Sequence, residues 1–417
     1  MHKVKFVSVF VLLALLLSAG LGVVMGQEPP PPVVDQTLLN DVEETLSGYS
    51  QALSTGQITQ RGRYTSGMRD LIQERRAFYE EFFEVALHST LESITSEFLF
   101  DPGKVSVLSD GQLSLQVTEK VTLYGRYNTS PEEPPTIQAA RWALARTDNE
   151  AVKQELKEYI QRAAEDIAES SEEGFEITLT PRHSLIVAKS RNGIQIVQDS
   201  FTNRSNDDPG TDNVIWTDGE YVRNKPDFTE YPNYRMYTRP VNEMGKEMLD
   251  FYTKMYGKRG WGPSQYNRAA AKNYINSWVQ PGQWPCEAGS EILETSTAWN
   301  TSYTQYKCAD CTNYVSQALG ALGAGGLPPD GTWYKDSFAW INTPGLWNWL
   351  WDKHYGWGMS TPHPEEYVSE GDLGFTSSLG HAVMYTSVYP LRYSAHSNDR
   401  LNHPWVSTLS TFFVITY

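Results

Sequence analysis

Tryptophan divides this chain before any other signal does. Eleven of its thirteen tryptophans lie at or after Trp261, in a chain of 417 residues. A step of that size in the use of one large side chain marks a domain boundary, and the length exceeds what one ordinary core encloses. Two domains of α+β class are therefore expected, meeting near residue 260. The tryptophans of the second serve either a packed interior or an aromatic-lined groove of the kind that holds sugars.

The first region opens on a targeting pattern. His2, Lys3 and Lys5 precede an apolar run from Phe6 to about Met25, and small residues lead to a cut at Gly26. A charged start, an apolar stretch and a small-residue exit describe a secretory signal over residues 1–26. The mature protein is then expected outside the cytoplasm, secreted or in the cell envelope. It would meet a membrane only if the segment stays uncleaved as an anchor. A stiff Pro-rich spacer, "QEPPPPVV", follows at 27–34. The formal net charge is −16, and it becomes −18 once Lys3 and Lys5 leave with the signal. Phosphate backbones repel such a chain and no basic stripe offsets the repulsion, so no nucleic-acid partner is expected.

Residues 35–201 read as one unit. Leu38, Val42, Leu46, Tyr49 and Leu53 step by threes and fours, as do Phe78, Phe82, Val85 and Ala86, which predicts two helices. The period falls to two through "KVSVL" and "QLSLQVTEKVTLY" and turns helical again from Asn149 to Ser170. The segment "FEITLTPRHSLIVAKSRNGIQIVQDSF" then alternates around an Arg-Asn-Gly turn. Helices followed by a curled antiparallel sheet make an α+β domain. Its closing hairpin resembles the end of NTF2-like or cystatin-like accessory domains, which implies spacing or docking rather than catalysis. Residues 202–260, rich in Asn, Asp, Pro and Tyr, are expected to form an irregular connector with a helical patch at "EMGKEMLDFYTKMYG". The second domain is then 261–417.

That domain holds all three cysteines: Cys286, Cys308 and Cys311. In an oxidising compartment an odd count leaves one thiol over. A redox role for the Cys308–Cys311 pair wants a βαβ setting that the sequence lacks, and a zinc site wants two more ligands at finger-like spacing. A nucleophile fits better. Asp310 is a candidate N-cap, and Val315, Ala318, Leu319 and Leu322 mark the inward face of a helix ending in glycines. Cys311 opens that face in the first turn, where unpaired N–H groups favour a thiolate and can hold an oxyanion. Asp310 opposes the thiolate, so a basic partner is required. His381 begins an alternating strand with Val383 and Tyr385 on one face. If Thr386 pairs with Leu391 across a four-residue loop near Tyr389-Pro390, His381 faces His396, with side chains about 5 Å apart at Cβ. One imidazole then takes the thiol proton and the other orients it. Asn398, two residues further on, is the rival orienter. His354 and His363, in a Pro/Gly-rich loop, are expected at the surface.

From about Tyr266 to Tyr417 the pieces "YNRAAAKNYINSWV", "DCTNYVSQAL", "GDLGF", "GHAVMYT" and "YSAHSND" resemble the "putative amidase domain" of exported bacterial proteins. That family is similar to the NlpC/P60 and CHAP branch of papain-like cysteine amidohydrolases. The resemblance implies a papain-like fold, with the nucleophile at a helix N-terminus packed on an antiparallel sheet. It makes Cys311 the nucleophile and His381 the base, and it puts the third polar group on the next strand, at His396. Asn313 and Ser316 match positions that shape the helix start, and Asp372 a structural one. Cys286 and Cys308 lie outside the motif, and a disulfide between them would leave Cys311 free. The implied function is cofactor-free, metal-free hydrolysis of an amide in a peptide or peptidoglycan-like substrate by a monomer. The rivals are a non-catalytic ligand- or wall-binding module on the same fold, and a zinc hydrolase using His381, His396 and His403.

Overall fold

The computed structural model describes residues 36–129, 133–191, 193–202, 215–217, 220–223, 227–257, 265–280, 298–306, 309–320, 324–397 and 399–417. The expected signal and the Pro-rich spacer lie outside the described residues. Among the described residues no helix is long and apolar enough to cross a membrane.

The expected helices and alternating strands of the first half are present, with Leu39 rather than Leu38 on the buried stripe of the first helix, and with a strand at Ser89–Leu99 and a helix at Pro135–Leu144 added where no period was read. Helix α1 (Gln36–Thr55) buries Leu39, Val42, Leu46, Tyr49 and Leu53, and α2 (Ser66–Glu81) runs on through Ala86 in a wider π turn. The strands β1 (Ser89–Leu99), β2 (Val105–Val107) and β3 (Leu113–Tyr127) follow, then α3 (Pro135–Leu144) and α4 (Glu150–Glu172). After them come β4 (Phe175–Leu179), β5 (Arg182–Ser190), β6 (Gly193–Thr202), β7 (Ile215–Thr217) and β8 (Glu220–Arg223). The eight strands make one antiparallel sheet in the order β1-β3-β5-β6-β7-β8, with β2 and β4 also paired to the long β3. Along β3 every second residue is buried, so one face packs on α1 and α2.

Inside that core lies a charged chain of contacts. His183 places Nδ1 2.9 Å from Asp199 and Nε2 3.0 Å from Glu119. Arg75 donates to Glu119 at 2.6 Å, Tyr49 donates to Asp199 at 3.0 Å, and Ser96 donates to the other oxygen of Glu119. All four charged side chains are fully buried. Burial would raise the Glu119 carboxyl, but the Arg75 charge and the His183 bond hold it at about 2.

The stretch expected to be an irregular connector carries more structure than its composition suggests. It contains α5 (Pro232–Thr238) and α6 (Val241–Gly257) as well as β7 and β8. Met244, Met248, Phe251, Tyr252 and Met255 recur at helical spacing and give α6 a continuous apolar face.

The second half contains α7 (Arg268–Ser277), α8 (Cys311–Gly320), α9 (Phe338–Ile341) and α10 (Thr343–Asp352), with strands β9 (Gly356–Ser360), β10 (Leu373–Phe375), β11 (Ala382–Val388), β12 (Leu391–Ala395), β13 (Arg400–Pro404) and β14 (Thr411–Ile415). These strands form a six-stranded antiparallel sheet, β13-β12-β11-β10-β14-β9. The sheet is covered on both faces. Ala382, Met384, Phe413 and Ile415 point to α7, α8 and α10, where Trp333, Trp340 and Trp349 are packed. Val383, Tyr385, Tyr393, Phe412 and Val414 point the other way, into a layer made by α3, α4 and α6 from before the composition change. Each of those side chains, fully buried, contributes about 1.5–3 kcal/mol. The tryptophans at 333, 340 and 349 are thus interior residues rather than the walls of a groove.

That layer also holds the β11–β12 turn. Asp166 of α4 accepts from the N–H groups of Val388 (2.5 Å) and Tyr389 (2.8 Å), and Asn233 of α5 accepts from Leu391 N–H at 3.0 Å. The register differs from the one expected. Val388 opposes Leu391, Thr386 bulges out, and Met384 opposes Ser394. The connection is two residues long, and an extension of this pairing sets His381 beyond His396, toward Ser397.

Candidate active site

The thiol sits where helix, sheet and turn converge. Cys311 is the first residue of α8, a helix so enclosed that every residue from Cys311 to Leu319 is buried. The close approach has visible requirements: a side chain on Gly320, at the helix end, would strike the Trp333 ring. Leu322 lies outside the described residues.

His381 stands just before β11. The loop from Thr376 folds back on itself, with Thr376 Oγ1 accepting from the N–H groups of Gly380 (3.0 Å) and His381 (3.1 Å). Because it precedes the strand, His381 does not share the far face of Val383 and Tyr385, as alternation predicts. Its charge and side chain act on the Cys311 thiol, as does the backbone N–H of the next residue, Ala382. Thr312 Oγ1 lies 3.7 Å from the sulfur. Burial works against the thiolate. The charge and hydrogen bond of His381, then the Ala382 N–H, outweigh it and bring the thiol from 9.0 to about 6.

Asp310 and His396 form a second, adjoining pair. His396 Nδ1 is 2.9 Å from Asp310 Oδ2, and its Nε2 is 2.6 Å from the Trp278 carbonyl. Its ring lies flat on Tyr314, 3.7 Å between centroids. Burial would lower this imidazole, but the hydrogen bond and charge of Asp310, together with Asp399, raise it. With acceptors at both nitrogens, His396 carries its charge as a counter-ion to Asp310. Neither nitrogen is turned to His381, so the face-to-face pair of histidines is not the arrangement found. The physical reason is the bulge and short turn, which displace β12 relative to β11.

The pairing changes what Asp310 does to the thiol. The sequence suggests a carboxylate that repels a thiolate one residue away, whereas here an imidazolium neutralises it. Asp310 Oδ1 accepts from Tyr306 N–H at 3.0 Å and from the Asn313 amide at 2.8 Å. Asn313 also donates to the Thr304 carbonyl and accepts from Trp340 Nε1, and Ser316 joins the Trp340 carbonyl to Trp333 Nε1. Both residues shape the start and packing of α8. Asp372 accepts from Arg268, Ile415 N–H and Ser369 N–H, and so ties α7 to the sheet.

Sequence reasoning missed Ser397. Its Oγ accepts from the N–H groups of Asp310 (2.9 Å) and Cys311 (3.1 Å). Two of the helix-start donors expected to be open for an oxyanion, the N–H groups of Asp310 and Cys311, are therefore occupied. A hydroxyl that accepts two bonds keeps one proton to donate. Only its place beside His396 in "YSAHSND" could have pointed to it, and no spacing rule does.

Cys286, Cys308 and Asn398 lie outside the described residues; Cys311 is a free thiol. His354 is exposed as expected. His363 is half-buried rather than fully at the surface, its side chain 20% exposed. His403 bonds the Pro404 carbonyl through Nδ1. Among the described residues, ligand-bearing atoms converge at His363, Glu365 and Glu366, and not at His381, His396 and His403.

Residues 265–413 match the family model described as "Putative amidase domain". The match supports an amidase domain over that span and a hydrolase acting on amides. No curated protein matches the chain. Among solved structures, the intermembrane space region of chloroplast protein ARC6 is similar at 13% identity, over 41% of this chain and 98% of that one. Its TM-score is 0.22, and nothing is argued from it.

Proposed function

We propose that this protein is an exported cysteine amidohydrolase that cleaves an amide through a thioester on Cys311, with cell-wall peptides as the substrate class. The observation that carries the reading is the place of the sulfur: it is buried at a helix start, and the nearby His381 charge lowers the thiol to about 6. A thiolate at neutral pH is the attacking species this chemistry needs.

In the acylation step the Cys311 thiolate attacks the carbonyl carbon, and the carbonyl oxygen gains the negative charge. Ser397, its lone pairs engaged by two backbone N–H groups, keeps its proton and donates a hydrogen bond through its hydroxyl to that oxyanion. Collapse breaks the C–N bond while His381 delivers its proton to the departing amine. In deacylation His381 takes a proton from water, the hydroxide adds to the thioester, and the carboxylate leaves as the thiol is restored. Tyr334, on the loop that Asp336 ties to Thr304 and Tyr306, and Phe338, at the start of α9, are exposed and offer apolar surface beside that segment. The third member, which fixes the imidazole's tautomer, is assigned to Asn398 in preference to His396, whose nitrogens are committed elsewhere.

The test is incubation of the full chain with purified wall fragments, followed by mass spectrometry of new amine and carboxyl ends. Matched new ends with the parent, and none with Cys311→Ala, support the reading. A thiol that iodoacetamide labels readily at mildly acidic pH, but no new ends from any fragment, would replace it with a binding module on the same fold.

A further inference from the structure

The loop between β9 and β10 contains a group of side chains that the proposed reaction does not use. In the run Thr361-Pro362-His363-Pro364-Glu365-Glu366, two prolines bracket the histidine and a tight turn from Pro364 to Glu366 follows. Fixed proline torsions order this loop whether or not a ligand is present. It lies toward the α3–α4–α6 layer, because the Glu365 charge acts on Tyr385 and Tyr159, and Tyr159 donates to the Glu365 carbonyl at 3.1 Å. Cys311 and α8 occupy the opposite face of the sheet.

The side chains of Glu365 and Glu366 are fully buried. Both carboxylate oxygens of Glu365, one of Glu366 and Nδ1 of His363 are buried without a hydrogen-bond partner. His363 Nδ1 and Glu365 Oε1 stand 3.4 Å apart and do not hydrogen-bond. A buried carboxylate left so costs several kcal/mol, and this loop holds two in succession. Among the described residues, the positive group bonded to them is Arg239, which binds Glu366 and is shared with Glu247 at 2.9 and 3.0 Å. Three carboxylates against one guanidinium leave two negative charges.

We propose that His363 Nδ1, Glu365 and the free oxygen of Glu366 bind a divalent transition-metal ion, zinc or manganese. The candidate ligand atoms lie within 4.8 Å of one another. An ion bonded at about 2.0–2.2 Å closes that span with sub-ångström shifts of the carboxylates. The +2 charge cancels the local excess, and one imidazole with two carboxylates suits these ions better than calcium or magnesium. Arg239 and the Tyr159–Glu365 bond form the outer support that orients such ligands. The ion's work is mechanical: it stiffens the β9–β10 loop, which Tyr159 and Arg239 join to the layer behind the sheet that carries His381.

The experiment uses the full chain in a Cys311→Ala background, which removes the thiolate as a rival ligand. The protein is stripped with EDTA, given Zn2+ or Mn2+ separately, desalted, and analysed for metal and for its melting temperature. About one ion per chain and a melting point several degrees higher are expected for one of the two metals. Glu365→Gln and His363→Ala should each bind it at least a hundredfold more weakly while keeping the parent's circular dichroism, and His354→Ala should bind as the parent does. Retention by both Glu365→Gln and His363→Ala, or by neither variant nor parent, overturns the proposal.

Discussion

In the first half of the chain His183 is clamped between Glu119 and Asp199; in the second, His396 is clamped between Asp310 and the Trp278 carbonyl. Both rings are buried, both have acceptors at each nitrogen, and both are raised above the ordinary imidazole range. The difference lies in what adjoins them. The His183 cluster closes on itself, with Arg75 and His183 matching Glu119 and Asp199, and among the described residues no thiol borders it. The His396 cluster absorbs the charge of Asp310 and thereby leaves the neighbouring Cys311 with a second histidine of its own. Buried histidine–carboxylate pairs therefore say little about chemistry until the group beside them is known.

The largest effects should separate the two clusters outright. Cys311→Ala and His381→Ala should each lower turnover by about 10^3–10^6-fold in steady-state kinetics on a cleavable wall peptide, the range seen when a nucleophile or base is removed. His183→Ala should instead cost about 3–5 kcal/mol of stability by stranding buried carboxylates. Its turnover per folded molecule should stay near the parent's, and a loss as large as that of Cys311→Ala would erase the distinction.

His396 offers the sharper contrast. His396→Ala leaves Asp310 charged and unpaired beside the thiol, so it should lose about 3–5 kcal/mol of stability and raise the thiol's titration midpoint. Asp310→Asn in the same molecule should restore both quantities in part, since it deletes the stranded charge. Asn398→Ala should slow turnover roughly ten- to a thousandfold with little change in melting temperature, as loss of an orienting group does. If His396→Ala alone slows turnover and Asn398→Ala does not, the third role returns to His396.

The pH dependence has a definite sign. The folded thiol is depressed from 9.0 to about 6. Its contribution to stability is therefore complete above about pH 9 and is lost as the pH falls through about 6. Alkylation of Cys311 should rise with a midpoint near pH 6 in stopped-time iodoacetamide assays, and a midpoint near 9 would remove His381 as its partner. The two clamped histidines act oppositely. Their raised values stabilise the fold fully below about 6.5, and that contribution is lost as the pH climbs through the folded values. The smallest effect is expected from Ser397→Ala, about ten- to a hundredfold in kcat with KM nearly unchanged, because it removes one oxyanion donor while freeing two backbone N–H groups to replace it.

How much of this was legible depended on how local each feature is. The steps from Val42 to Leu53, the alternation along β3 and the opening of α8 by Cys311 follow from spacing within one element. The register around His381 does not. It depends on Asp166 and Asn233, far away in sequence, which take the backbone groups of the β11–β12 turn and allow Thr386 to bulge. The same holds for Asp310, whose repulsion of the thiol vanishes only once His396 is placed against it. His363 looked like a surface residue because Pro and Gly dominate its loop, and composition does not report that α4 and α5 close over it.

The layer of α3, α4 and α6 behind the second sheet has a consequence for the order in which the chain is made. A ribosome releases these helices first, with Met244, Met248 and Phe251 lacking the strands they are to cover. The last of those strands, β14, lies between β10 and β9 and supplies side chains to both faces at once. Until it arrives, the sheet is split and the loop holding His381 has no fixed floor. On the proposed mechanism the thiol of Cys311 would be armed late in synthesis, and a chain stopped short of Thr411 should carry Cys311 and His381 without turnover.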